Sequence, residues 1–139
     1  VCLDDVEVKN SAVDDVINKA LLVSNFPVAV DCCLENNRFA DALLLSSCGG
    51  GDLWNETLQK YLDRFYSKKP YVPILAAVIK GDYESFVLNA DITEDKWKEV
   101  LAILSQYGKS EQVPGLCELL AARLASERSD EDAISAASL

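Results

Sequence analysis

Apolar residues recur at three- and four-residue spacing along almost the whole chain. The stretch LWNETLQKYLDRF at residues 53–65 is one example, with its apolar side chains on one helical face. No segment alternates apolar and polar residues with the period of two that a half-buried strand requires. Turn residues divide the pattern into segments of about 8–16 residues with short loops between them. The sequence therefore predicts an all-α fold without a sheet.

Two segments resemble each other and indicate how the helices are arranged. AVDCCLENNRFADAL and LAAVIKGDYESFVL both read as a short apolar helix, a tight polar turn and a second helix. Their spacing of about 45 residues is typical of helical-repeat arrays. This favours an irregular α-solenoid of about eight to nine short antiparallel helices over a closed bundle.

The two ends of the chain set the predicted domain limits. Residues 1–10 are ambiguous between an extended arm and a short helix, and Ser11 is predicted to cap the first regular helix. The polar run SERSDED is predicted to break the pattern, with a ninth helix over residues 132–139. Since AISAASL ends within an apolar, helix-favouring pattern, we interpret residues 11–139 as a solenoid fragment truncated at its C-terminus, preceded by an N-terminal arm over residues 1–10.

Two inner helix starts are also predicted from capping residues. Thr93 is predicted to cap a helix that ends before Gly108, and Ser110 is predicted to begin the next. Pro114 and Gly115 then indicate an irregular first turn.

Three consecutive glycines, Gly49 to Gly51, raise the possibility of a phosphate-binding loop. Such loops direct backbone N–H groups at an anion and are followed directly by Lys and Ser or Thr. Here Asp52, Leu53 and Trp54 follow, and the carboxylate of Asp52 would repel a phosphate. The glycines are therefore predicted to end one helix in left-handed geometry and let the chain reverse.

The net charge excludes some classes of partner. A chain of 139 residues with a net charge of −10 lacks the clustered basic residues that nucleic acids and anionic membranes attract. No apolar run reaches the ~20 residues of a membrane span. We predict neither nucleic-acid binding nor direct membrane insertion.

Catalytic and metal-binding constellations are not recognisable. The chain contains no histidine, and its five cysteines are irregularly spaced, which fits buried free thiols in a reducing cytosol: Cys2, Cys32, Cys33, Cys48 and Cys117. We predict no catalytic, cofactor or metal site and no enzyme. A ligand-binding helical domain or an enzyme stays the competing hypothesis, and a pocket with convergent polar groups would support it.

Large aromatic side chains on the apolar stripes have two interpretations. They can pack within the core, or they can anchor a partner. The candidates for an interface are Trp54, Phe65, Tyr66 and Trp97.

The stretch CLENNRFADALLLSSCGGGDLWNETLQKYL resembles the α-solenoid, or ancestral coatomer element, of the large rod-forming outer-coat subunit of the COPII vesicle coat. The matching residues are Asn37, Arg38, Ala40, Asp41, Ala42, Leu43, Leu44, Leu45, Gly49, Gly50, Leu58, Gln59 and Tyr61. Further echoes are Trp97-Lys98 with Leu101, Ile103, Leu104 and Tyr107, then Cys117, Leu119, Leu120, Arg123 and Leu124. The resemblance covers about residues 15 to 128. Gly51 and the acidic N-terminal arm depart from the family pattern.

This resemblance implies a structural scaffold that self-associates, as a homodimer through the solenoid, to form cage edges in endoplasmic-reticulum-to-Golgi transport. In the full-length parent it implies two further partners, a small β-propeller outer-coat subunit and the inner coat with its small GTPase. The implied location is the cytoplasmic face of the endoplasmic reticulum, its exit sites and COPII vesicles. The alternative is the related solenoid of the scaffold protein that organises exit sites.

Overall fold

The computed structural model describes residues 3–137, and the regular secondary structure of this part consists of eight α-helices with no strand. The predicted all-α fold is confirmed, and the helix count lies within the predicted range. The chain divides into two compact units, Val1–Phe65 and Tyr66–Leu139.

The first unit stacks its four helices in chain order. They are α1 (Leu3–Leu22), α2 (Phe26–Glu35), α3 (Phe39–Cys48) and α4 (Gly51–Phe65), and each contacts the next. Asn25 caps α2 by accepting a hydrogen bond from the Val28 N–H (3.4 Å), and Pro27 occupies the first turn. The core consists of Val30, Cys33 and Ala42, covered by Ile17, Leu34, Leu45 and Leu53.

The second unit contains a larger core. Its helices are α5 (Val72–Lys80), α6 (Tyr83–Asn89), α7 (Lys96–Tyr107) and α8 (Val113–Ala137). Helix α6 contacts α5 and α8, and α7 also packs on α8. Gly81 ends α5 with a left-handed φ of 68°, and Asp82 then caps α6. The buried residues of its core cluster are Ala77, Tyr83, Phe86, Val87, Ile92, Val100, Leu104, Leu116 and Leu120.

The predicted start of the first helix is wrong. Helix α1 begins at Leu3, so Ser11 lies inside it and does not cap it. The segment before Ser11 holds no Gly or Pro, and its acidic residues favour a helix N-terminus through the helix dipole. Residues 1 and 2 of the predicted arm lie outside the described residues.

The predicted break at SERSDED and the separate ninth helix are also wrong. Helix α8 runs without interruption from Val113 to Ala137. The run contains neither Gly nor Pro, and the Arg123–Glu127 ion pair (3.3 Å) adds i,i+4 support. Residues 138 and 139 lie outside the described part.

Helix α7 begins two residues later than predicted, and helix α8 begins three residues later. The Asp91 carboxylate accepts hydrogen bonds from the Thr93 N–H (3.0 Å) and hydroxyl (2.6 Å), which holds Thr93 in a turn. Glu94 follows with a φ of 54°, outside the helical region. Helix α7 therefore begins at Lys96, and α8 begins at Val113 rather than Ser110.

Candidate interaction surface

Arg38 joins the first and third helices of the first unit. Its guanidinium donates to the Asp14 carboxylate, and also to the backbone oxygen (3.1 Å) and side-chain oxygen (3.3 Å) of Asn10. The hydrogen bond with Asp14 raises the pKa of Arg38. Arg38 thus fixes the start of α3 against the middle of α1.

The Arg38–Asp14 pair is expected to add little stability because it is solvent-accessible. We expect Asp14→Asn to shift the urea midpoint of unfolding only slightly, because an exposed ion pair contributes little to stability. Asp15→Asn on the same helix is the matched control and should leave the midpoint unchanged. A large drop in the midpoint for Asp14→Asn alone would contradict a surface role for this pair.

Three aromatic rings connect α3 and α4. The Phe39 ring meets Phe65 edge-on at 5.0 Å between centroids and Tyr61 at 6.2 Å, while Tyr61 and Phe65 lie 4.8 Å apart. Tyr61 and Phe65 are both half-buried. Phe65, an interface candidate in the sequence, therefore already contributes to packing within its own unit.

The glycine run permits a close approach between helices. A Cβ at Gly49 would lie 2.5 Å from the Leu53 Cδ2 and 3.0 Å from the Phe26 Cβ, so a larger residue would clash there. The left-handed geometry falls on Gly50, with a φ of 99°, and Gly51 opens α4. The run is a helix-reversing turn, as predicted.

The other motif residues divide between core and surface. Ala42 is fully buried against Val30 and Cys33, whereas Ala40 is exposed and Leu43 is half-buried. The Gln59 side chain donates to Asp63 (2.6 Å) on the exposed side of α4.

Asp41 is exposed and borders a cavity of about 250 Å³ between α1 and α3. The other residues of this cavity are Asp14, Ile17, Arg38, Leu44 and Leu45.

The remaining interface candidates differ in exposure. Trp54 and Tyr66 are 37% and 45% exposed, which leaves much of each ring open to a partner. Trp97 packs against the core of the second unit, and the Lys98 ammonium lies 5.7 Å from its ring centre.

Arg123 has a structural role that the sequence did not indicate. Its Nη1 donates to the backbone oxygens of Val87 (2.8 Å) and Ala90, where α6 ends. Its Nη2 reaches Glu127 (3.3 Å) on its own helix. The motif match named Arg123, but neither carbonyl can be read from sequence because they lie 36 and 33 residues away.

The cysteines follow the prediction only in part. Cys33 is buried, and burial raises the pKa of its thiol, which keeps it protonated and unreactive. Cys32 and Cys117 are half-buried. Cys48 is exposed, contrary to the prediction of buried thiols, and Cys2 lies outside the described residues.

Chemistry-bearing side chains do not converge in the part of the chain that the structure describes. Within residues 5–137, whose side chains the structure describes, no three Cys, Asp or Glu residues are placed to hold a metal ion. A cavity of about 520 Å³ in the second unit is bordered by Asp82, Glu84 and Glu111. The Asp82 carboxylate accepts hydrogen bonds from the Ser85 hydroxyl (2.7 Å) and from the Ser85 N–H (3.1 Å) as the cap of α6, and these bonds lower the pKa of Asp82. No helix in the described range has both the length and the apolar content to cross a membrane.

Comparison with known proteins identifies the family. A family model described as the Sec16 Sec23-binding domain matches residues 17–135. The chain is 36% identical over 124 residues to the protein transport protein SEC31 of Pyricularia oryzae, covering 89% of this chain and 10% of that protein. It is 39% identical over 115 residues to Sec31A of Gallus gallus, covering 83% and 9% of the two proteins. With SEC31 homolog B of Arabidopsis thaliana it shares 35% over 121 residues, covering 87% and 11%.

The chain spans about a tenth of the length of these curated relatives. No solved structure matches it significantly. Because the family model covers most of the chain and the helical fold accommodates the matched motif, this chain belongs to the Sec16 Sec23-binding domain family and is Sec31-like in sequence.

Proposed function

We propose that this chain is a scaffold segment of the COPII outer coat, which self-associates to form cage edges in endoplasmic-reticulum-to-Golgi transport. Its similarity to proteins named for protein transport supports this role. We also propose that it acts without catalysis, at the cytoplasmic face of the endoplasmic reticulum, at exit sites and on COPII vesicles.

The observation that carries the proposal is that residues of the matched motif form contacts between neighbouring helices. Arg38 joins α1 to α3, Ala42 fills the core between α2 and α3, and Tyr61 packs α4 on α3. The motif residues thus hold neighbouring helices together rather than surround a substrate. A stack of helices held by such contacts is suited to bear load along a coat edge.

The partners of the whole protein extend the proposal. The description of the matching family names Sec23, so we include Sec23 as a partner from the inner coat. By resemblance to the coat subunit, we also include the small β-propeller outer-coat subunit and the small GTPase of the inner coat. The proposed self-contact is a homodimer through the helical segment.

Light scattering behind size exclusion tests the self-association. The chain and a longer one covering the whole solenoid would be measured over a hundredfold concentration range. We expect a concentration-dependent dimer in both, and we expect Trp54→Glu or Tyr66→Glu to weaken it at least about tenfold by burying an unpaired charge at the contact. Tyr107→Glu, at a similarly exposed tyrosine, is the control and should leave the dimer intact.

The outcomes separate the two scaffold hypotheses. If only the longer chain dimerises, the contact lies outside this segment, which then serves as a rigid arm. If both stay monomeric, the self-association proposal is wrong. The second candidate, an exit-site organiser, would then move ahead. The Sec16 name of the matching family model supports that role, but less strongly than the Sec31 relatives support the coat role.

A further inference from the structure

We draw no further inference here: the strongest candidate, the apolar cavity of about 310 Å³ that Tyr66, Ile74 and Ile103 border in the second unit, rests on its apolar lining alone, and nothing in the part of the chain that the structure describes shows what covers it.

Discussion

Replacing Leu104 by alanine is expected to lower the free energy of unfolding of the second unit by about 3 kcal/mol. Leu104 has no exposed surface and lies in the core cluster of this unit. Truncation removes its buried methyl groups and leaves a cavity that rigid neighbours only partly fill. Urea unfolding followed by Trp97 fluorescence would measure the loss, because Trp97 packs on the same core. A Trp54→Phe background removes the signal of the other tryptophan.

Leu101→Ala on the same helix is the matched control. Leu101 is 36% exposed, so the same truncation removes fewer buried contacts. We expect a loss below about 1 kcal/mol. Similar losses for the two variants would mean that α7 does not bury Leu104 as described, and the assignment of the core would then be wrong.

Helix boundaries were predictable where one local signal was strong. Pro27 and Pro73 fall in first turns, Asp82 caps α6, and Gly81 ends α5 with a positive φ, which are the positions typical of these residue types. These residues act through their own backbone geometry or a bond to a neighbour three residues away. Such effects are contained in the local sequence.

The predictions of helix boundaries were wrong where several weak local preferences competed. Ser11 can cap a helix, but it also fits inside one, and the residues before it favour continuation. SERSDED is polar and therefore resembles a loop, yet it contains no residue that breaks a helix. Thr93 does not cap α7 as predicted, because its N–H and hydroxyl donate to the carboxylate of Asp91, two residues earlier.

The candidate interface residues required tertiary information. Trp54 and Trp97 occupy similar positions on apolar stripes in the sequence, but Trp54 stays exposed while Trp97 packs on a core. Periodicity gives the apolar face of a helix but does not show which neighbour covers it. The partners of Arg38, up to 28 residues distant, were equally beyond local reasoning.

Arg123→Met is expected to destabilise the second unit by about 2–3 kcal/mol. The guanidinium donates to the backbone oxygens of Val87 and Ala90 at the end of α6, where helix carbonyls lack partners within the helix. One hydrogen bond from a charged donor contributes about 1.5–3 kcal/mol. Because the two bonds share Nη1 of a partly exposed side chain, we expect their joint contribution, together with the favourable interaction of the charge with the helix C-terminus, to stay near this range. Methionine keeps much of the aliphatic volume, so the loss reports mainly on hydrogen bonding. The same urea titration with Trp97 fluorescence measures it.

Arg128→Met is the control that separates the hydrogen bonding of Arg123 from a general effect of removing one positive charge. Arg128 lies five residues further along α8 and is exposed, so its loss changes the net charge equally and should alter stability by less than about 0.5 kcal/mol. Arg123→Lys should recover only part of the lost stability, because the shorter lysine side chain has one nitrogen and cannot keep both the carbonyl bonds of Nη1 and the Glu127 contact of Nη2. Full stability in Arg123→Lys would show that charge alone suffices. If Arg123→Met were as stable as the wild type, the apolar contacts between α6 and α8 would hold the two helices together without the hydrogen bonds of Arg123.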